Sequence, residues 1–151
     1  MLVRDVMSKD LTCCTPSDSA QTAAKLMKDR GVGSLPVVSD GAGKRLEGIV
    51  TDRDLCCTVV AGAQLAEAVR VAEVMTTKAV VCAPDDTLEE CERLMQKHQV
   101  RRIPVIDAQG RCIGIVAQAD IALHAPAELV AKTLAEVSKS LRLPREARAA
   151  V

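Results

Sequence analysis

The amino-acid sequence predicts a mixed α/β (α+β) fold in which one β-α-β-β-α unit is written twice and an amphipathic helix follows. Three observations predict it. Short motifs from the first half recur in the second half in the same order, short apolar runs alternate with helix-like patterns in each half, and a further apolar stripe at helical spacing follows the second half.

The repeat is visible in pairs of short motifs. Val6-Met7 recurs as Val74-Met75, and Pro36-Val37 recurs as Pro104-Val105 at the same offset. From Gly48 and its partner Gly114 onward the offset is two residues shorter, and the deletion falls between two predicted strands, where loops tolerate changes of length. Ordered recurrence of this kind predicts two copies of one structural unit.

Each unit is predicted to run from a strand through a helix to two strands and a closing helix. Apolar residues at helical spacing predict that the first unit's helix buries Ala20, Ala23, Ala24 and Met27, whereas the second unit's helix buries Leu88, Cys91 and Met95. Thr87 and Glu90 fit a capping box, and Gly31 is a predicted helix stop. The predicted strands are Leu11–Cys14, Leu35–Val38, Leu46–Val50, Ala79–Cys82, Ile103–Ile106 and Cys112–Val116, the first helices begin near Ser19 and Thr87, and the closing helices begin at Asp52 and Gln118.

The predicted domain organisation follows the repeat. The first repeat spans 1–61, a linker spans 62–70, and the second repeat spans 71–124. A C-terminal helix is predicted over 125–141, with Leu129, Val130, Leu134, Val137 and Leu141 on one face, and a frayed tail over 142–151. This amphipathic helix needs a surface to cover, either on its own domain or on a second copy of the chain.

Composition excludes several classes of function. Twenty acidic and 20 basic residues give a net charge of +0, and aromatic content is 0%, so the chain lacks both the charge and the stacking platforms of a typical nucleic-acid binder. No apolar run approaches the ~20 residues of a membrane span, and the N-terminus lacks the apolar stretch of a signal peptide. We expect a cytoplasmic protein that binds neither nucleic acid nor membrane.

The seven cysteines form no Cys-x-x-Cys motif, and two pairs are adjacent in sequence. This pattern is not typical of a secreted disulfide framework, and zinc sites prefer spaced ligands. We interpret the cysteines as small buried hydrophobes in a reducing compartment, with one of Cys56 and Cys57 buried, while a metal or thiol-redox role remains an alternative.

The most informative stretch runs from Gly48 to Asp54. An apolar run ends at Val50, Thr51 is placed to cap a helix, and Asp54 follows in the first turn. Such a corner is expected to gather a hydroxyl, a carboxylate and unpaired backbone N–H groups that attract anions. The alternative is that Thr51 and Asp54 form only a capping box. The corner returns at Gly114–Asp120, where Ala117 replaces the hydroxyl, and an acid kept without its hydroxyl partner favours a role in ligand binding.

These motifs together resemble the CBS-domain family in its paired form, the Bateman module. The resemblance covers about Val3 to Leu123 and rests on Asp5-Val6-Met7, Leu35-Pro36-Val37-Val38, Gly48–Asp54 and their partners in the second unit. It implies two repeats packed as a pseudo-twofold pair with two clefts between them. It also implies a regulatory module without catalytic residues that binds AMP, ADP, ATP or S-adenosylmethionine, forms a homodimer and acts on a protein partner.

The resemblance also implies site residues. The aspartates Asp54 and Asp120 would hold the ribose hydroxyls, Thr51 would donate its hydroxyl to a phosphate, and the basic pair Arg101 and Arg102 would bind phosphates. Adenine would lie against the first strand of the other unit, and strand isoleucines would form apolar walls. These contacts are Ala79 and Val80 for the Asp54 cleft, Leu11 and Thr12 for the Asp120 cleft, and Ile49 and Ile115 for the walls.

Two alternatives stay open beside a nucleotide sensor. Because Ala117 and Gly33 depart from the full pattern, we expect one competent nucleotide site centred on Thr51 and Asp54 and a weaker second site. The alternatives are a metal- or thiol-redox-responsive protein and a purely structural dimerisation module. No obligatory cofactor, metal site or catalytic residue is predicted, and an enzyme is the least favoured class because no catalytic motif is evident.

Overall fold

The computed structural model describes residues 1–41 and 43–139. Helices and strands alternate through these ranges much as the repeat predicts, and the closing helices begin at Asp52 and Gln118 as expected. The helices are α1 (Val3–Val6), α2 (Ala20–Arg30), α3 (Asp52–Leu55), α4 (Val71–Val74), α5 (Leu88–His98), α6 (Gln118–His124) and α7 (Ala127–Lys139), and the strands are β1 (Ser34–Val38), β2 (Leu46–Thr51), β3 (Arg102–Ile106) and β4 (Cys112–Ala117). A π-helical turn, Cys56–Val60, continues α3.

The chain divides into two compact units. The Asp54 unit comprises Asp10–Ala79 with Ala108–Cys112, and the Asp120 unit comprises Met1–Lys9, Val80–Asp107 and the described residues from Ile113 onward. Each unit has its own apolar core. The short helices α1 and α4 each belong to the unit that holds the other repeat's strands, so the compact units are not the sequence repeats. The repeat boundaries at 1–61 and 71–124 stay a prediction.

Each unit contains one two-stranded sheet, β1 with β2 and β3 with β4. The β1–β2 pair is antiparallel, with Leu35 opposite Val50. The predicted strands at these four places are confirmed with small shifts at their ends.

The predicted first strands, Leu11–Cys14 and Ala79–Cys82, are wrong, because each forms only one parallel bridge, from Cys14 to Val37 and from Cys82 to Val105. The backbone of Cys14 bonds to Pro36 O and Val38 N. The next ladder position would need an N–H from Pro36, which proline lacks. Pro104 ends the second ladder at the equivalent place.

The helices α2 and α5 follow their predicted caps. Ser19 Oγ accepts from Thr22 N, and α2 ends at Gly31, whose φ of 63° is the left-handed conformation that favours glycine. Ala24 is exposed, contrary to prediction, because the buried stripe of α2 is Ala20, Ala23 and Met27, and Ala24 lies just outside it. The predicted stripe of α5 is confirmed, since Leu88, Cys91 and Met95 are all buried.

The predicted linker is folded against the Asp54 unit. Val69 is buried in its core, and the carbonyls of Val69 and Ala66 accept hydrogen bonds from the N–H groups of Ala20 and Gln21. These carbonyls satisfy two of the donors that a helix start leaves unpaired. Residues 62–70 therefore hold the start of α2 in place rather than acting only as a spacer.

The C-terminal helix α7 covers its own unit. Val137 is part of the core and Val130 packs against it. Thr133 is also buried, and its Oγ1 accepts a hydrogen bond from Gln96 Nε2 of α5 at 2.8 Å. Leu134 is 48% exposed, contrary to prediction, because the buried stripe runs through Thr133 instead. The predicted Leu141 and the tail from 142 onward lie outside the described residues.

Both Cys56 and Cys57 are exposed, so the prediction that one is buried is wrong. The core-facing residues of this segment are Leu55 and Val59, and both cysteines follow Leu55 on the solvent side of the helix. Across the described ranges, no helix has the length and apolar character needed to cross a membrane.

Candidate functional site

The Asp54 corner lies where β2 ends at Thr51 and α3 begins at Asp52. Asp54 Oδ2 accepts hydrogen bonds from Thr51 N and Thr51 Oγ1, both at 2.9 Å. Asp54 N in turn donates to Thr51 Oγ1 at 3.1 Å. This reciprocal pattern is a capping box, as the sequence indicates, and a further role of the two residues in ligand binding stays a prediction.

The capping box changes what Thr51 offers to a ligand. A hydroxyl has one proton to donate, and that of Thr51 is already donated to Asp54 Oδ2. The prediction that Thr51 donates to a phosphate is therefore not met by this arrangement. A phosphate at this place would have to displace the bond to Asp54.

The expected set of unpaired backbone N–H groups at this corner is also absent. Asp52 N donates to Gly33 O at 3.0 Å, and Arg53 N donates to Asp52 Oδ1 at 2.8 Å. With Asp54 N bonded to Thr51 Oγ1, the first three donors of α3 all have partners. In this arrangement none of these three donors is open to an anion, and anion binding at this corner stays a prediction.

One strong acceptor remains open at the Asp54 corner. The Asp54 side chain is half-buried, and its Oδ1 makes no hydrogen bond with any residue that the structure describes. Because Oδ2 is fixed by two donors, Oδ1 is held in one place with its lone pairs free. An ionised carboxylate oxygen can accept hydrogen bonds from hydroxyl groups of a ligand.

The Asp120 corner, where β4 ends at Ala117 and α6 begins, repeats this arrangement with one partner fewer. Asp120 Oδ2 accepts from Ala117 N at 2.7 Å, and no hydroxyl is available. The acid therefore still caps its helix, and its retention without a hydroxyl partner does not by itself indicate a ligand. Asp120 is half-buried, and within the described ranges its Oδ1 makes no hydrogen bond.

The arginine pair belongs to the Asp120 corner. Gln118 N, the first donor of α6, bonds to Arg101 O at 2.9 Å, as Asp52 N bonds to Gly33 O in the other unit. This bond places the backbone of Arg101 at the start of α6, and Arg102 begins β3. Neither guanidinium bonds or pairs with any residue in the described part of the chain, and both side chains are half-buried. The corner thus combines a carboxylate with two uncommitted cations.

Sequence reasoning missed Gln118 at this corner. Its Oε1 is buried and has no hydrogen-bond partner among the described residues. A buried polar atom without a partner is unusual and calls for a functional or structural explanation. Gln118 stands where the first repeat has Asp52, which is exposed, so the register gives no sign of this burial.

The predicted apolar walls are half-buried strand residues beside each corner. Ile49 exchanges both backbone hydrogen bonds with Thr76, and Ile115 exchanges both with Ser8. A side chain on Gly48 would place its Cβ 2.5 Å from Thr76 O, so this close crossing requires glycine. At Gly114 a Cβ would instead meet the side chain of Met7, which is flexible.

The predicted adenine contacts are divided between the units. Ala79 belongs to the Asp54 unit, together with Leu11 and Thr12, whereas Val80 belongs to the Asp120 unit. All four are half-buried. Their role as contacts to a base stays a prediction.

The cysteines differ in exposure: four are buried, Cys13 is half-buried, and Cys56 and Cys57 are exposed. Burial raises the pKa of Cys14 to about 12, and a hydrogen bond to Cys91 together with burial raises the pKa of Cys82. Such thiols are poor nucleophiles and poor metal ligands. No cluster of three or more metal-ligating side chains occurs within residues 1–41 and 43–139. The exposed Cys56 and Cys57 are the chemically accessible pair.

Comparison with known proteins identifies the family. The family model described as "CBS domain" matches residues 3–60 and 71–126. The chain is 38% identical over 122 residues to the CBS domain-containing protein YhcV of Bacillus subtilis (strain 168). The aligned residues cover 81% of this chain and 84% of that protein.

Two solved structures have the same fold at appreciable identity. Hypoxic Response Protein I, solved with two coordinated zinc ions, matches with a TM-score of 0.74 at 33% identity, over 83% of this chain and 100% of that one. CBSX2 in complex with AMP matches with a TM-score of 0.71 at 30% identity, over 82% of this chain and 95% of that one. CBSX2 is a protein of Arabidopsis thaliana. The matched ranges, the fold and the repeated corner agree, and the chain belongs to the CBS domain family and carries the domain twice, as a CBS pair.

Proposed function

We propose that this CBS pair is a regulatory module that binds an adenosine-containing ligand at its strand-to-helix corners. One observation carries the proposal: in both corners a backbone N–H fixes one oxygen of an aspartate and leaves the other oxygen open. A fixed carboxylate oxygen suits a ribose, whose adjacent hydroxyls donate to it, and each such bond contributes roughly 1.5–3 kcal/mol. The AMP complex of the similar protein CBSX2 supports this ligand class.

The Asp120 corner is the better candidate for the phosphate-bearing ligand. The sequence favours Thr51 and Asp54, but that hydroxyl and the neighbouring N–H groups are already bonded. Arg101 and Arg102 are uncommitted, and guanidinium groups bind phosphate oxygens with paired donors. We therefore assign the sugar of the ligand to Asp120 Oδ1 and its phosphates to Arg101 and Arg102. The role that we assign to Asp54 involves no phosphate.

Ligand binding would act on a partner through a change of conformation or of a homodimer. A ligand shifts such an equilibrium only if it binds one state more tightly than the other. This part of the proposal includes a homodimer, a regulated protein partner, a cytoplasmic location and the absence of catalysis. Each follows from the resemblance of the motifs to the paired CBS family.

Calorimetric titration with AMP, ADP, ATP and S-adenosylmethionine tests the proposal. We expect at least one of them to bind more tightly than about 1 mM, which corresponds to roughly 4 kcal/mol. Adenosine without a phosphate is the matched control and should bind more weakly than AMP, because it cannot use the arginine pair. If none of AMP, ADP, ATP and S-adenosylmethionine binds more tightly than about 1 mM, adenosine sensing is refuted.

A thiol- or metal-responsive protein is the second candidate, and the exposure of both Cys56 and Cys57 favours it. The similar Hypoxic Response Protein I was solved with zinc ions. Elemental analysis of the reduced protein distinguishes the two functions, since stoichiometric zinc that is lost in a Cys56→Ser/Cys57→Ser variant would support the metal-responsive one. Absence of both zinc and nucleotide binding would leave the purely structural dimerisation module.

A further inference from the structure

Glu92 is a buried acid in the middle of α5. Its side chain is 0% exposed, and neither carboxylate oxygen has a hydrogen-bond partner among the described residues. An ionised carboxylate without a partner is costly to bury, whereas a neutral carboxyl group is much less so. The proposed nucleotide site makes no use of this residue.

The helix α7 covers the part of α5 that carries Glu92. Glu92 and Gln96 are four residues apart and lie on the same side of α5. Gln96 Nε2 donates to Thr133 Oγ1 of α7 at 2.8 Å, and the two helices pack along each other. Glu92 therefore belongs to the stripe of α5 that faces α7.

The surroundings favour the neutral form of Glu92. Burial is the main cause that raises its pKa above the ordinary value, and the negative charge of Glu89 adds to it. The described elements that pack directly on α5 do carry charges, but none of them bonds to Glu92. The segment before α1 also packs on α5, because Leu88 N donates to Met1 O. The charged residues of these elements are Arg4 and Asp5 of α1, Arg102 of β3, Glu128, Lys132, Glu136 and Lys139 of α7, and Glu89, Glu90, Arg93 and Lys97 of α5 itself. Arg4 pairs with Asp85, and Lys139 pairs with Glu136.

We propose that α7 is a proton-linked strap, which seats on α5 when Glu92 is protonated and opens more often when Glu92 is ionised. Opening of α7 exposes the carboxylate to water, where its charge is solvated. The seated state therefore holds a proton that the open state releases, and the two equilibria are linked. Opening would also uncover the apolar residues Val130 and Val137, which contact the core of this unit.

The direction of the pH dependence follows from the raised pKa. The seated helix has its full stability below the ordinary pKa of a glutamate, where Glu92 is neutral in both states. It loses stability as the pH rises through the raised pKa of the seated state, because the open state can then ionise more easily. Acid conditions seat α7, and neutral or alkaline conditions loosen it.

Hydrogen exchange of the α7 amides, compared between the wild type and Glu92→Gln at the same pH, tests the proposal. Glutamine has nearly the same shape and cannot ionise. At about pH 8 the variant should exchange more slowly in α7, by about tenfold for each unit by which the pKa of Glu92 is raised. At about pH 5, close to the ordinary carboxyl pKa, the ratio should fall towards one.

Two controls separate this linkage from a general change in stability. Glu89→Gln removes the same charge from an exposed position of α5, and we expect a much smaller effect on α7. Peptides from α2 report on the other unit and should exchange alike in all three proteins. A ratio between Glu92→Gln and wild type that does not change with pH would overturn the proposal, as would faster exchange of α7 in the variant at both pH values.

Discussion

A single carboxylate oxygen of Asp54 holds both the backbone N–H and the side-chain hydroxyl of Thr51, each at 2.9 Å. These two hydrogen bonds join the end of β2 to the start of α3. It also decides what the corner can offer a ligand, because it uses the hydroxyl proton and leaves only the second oxygen of Asp54 open. The Asp54 side chain thus combines a stabilising cap with one open acceptor oxygen.

The first prediction concerns the stability contributed by this cap. Asp54→Ala removes two hydrogen bonds to a charged acceptor, and we expect a loss of about 1–2 kcal/mol in the free energy of unfolding. Asp120→Ala removes only the bond from Ala117 N, so its loss should be smaller. Urea denaturation of both variants measures the difference. Equal losses would show that the hydroxyl of Thr51 adds nothing to the cap.

The second prediction concerns the crossing of Gly48 by the segment that contains Thr76. Gly48→Ala brings a Cβ to 2.5 Å from Thr76 O, a backbone atom, so one strand must move. We expect a loss of about 1–3 kcal/mol, the usual range for overpacking. Gly43→Ala is the matched control, because its nearest neighbour would be 3.9 Å away. Thermal or urea unfolding that ranks the two variants equally would contradict this account of the glycine.

The third prediction concerns thiol reactivity. In the native protein a disulfide reagent should modify two thiols rapidly, those of Cys56 and Cys57, because both are exposed. Cys13 should react more slowly, since it is half-buried and burial raises its pKa. The four buried thiols should react only on unfolding. A Cys56→Ser/Cys57→Ser variant should lose the rapid phase, and a wild-type rapid phase of only one thiol would mean that one of the pair is shielded.

Most of the fold was predictable because its signals are local. The stripe through Leu88, Cys91 and Met95, the caps at Ser19 and Thr87, and the last strands of each unit depend on residues close in sequence, and the structure confirms them. The strand predicted at Leu11–Cys14 failed for a non-local reason. Its partner strand carries Pro36, and the missing N–H ends the ladder after one bridge.

The candidate site was less predictable, because hydrogen-bond competition decides which groups remain open. The sequence correctly indicates a hydroxyl and a carboxylate at the Asp54 corner, but it does not show that they bind each other. The sequence likewise gives no sign that the first N–H of α3, that of Asp52, donates a hydrogen bond to Gly33 O. Gln118 and Glu92 were missed because each looks like an ordinary exposed helix residue until its neighbours are known.

The fourth prediction concerns the arginine pair. Arg101→Ala/Arg102→Ala should weaken ATP binding more than adenosine binding, because both side chains are assigned to phosphates. The difference should shrink at high salt, which screens such contacts. The matched control for the loss of two positive charges is Arg93→Ala/Lys97→Ala, which removes two exposed cations from α5. Equal weakening of ATP and adenosine by the Arg101/Arg102 variant would show that these side chains contact the nucleoside or the fold rather than the phosphates.

The central claim is that the open oxygen of Asp120 holds the sugar of the ligand, and calorimetric titration of AMP into Asp120→Ala tests it most directly. Glu90→Ala is the control, because Glu90 forms the same kind of capping box with Thr87 at a helix start outside the two corners. We predict that Asp120→Ala weakens AMP binding at least about tenfold, equivalent to roughly 1.4 kcal/mol, while Glu90→Ala leaves the affinity unchanged. Unchanged AMP affinity in a folded Asp120→Ala protein would contradict the claim.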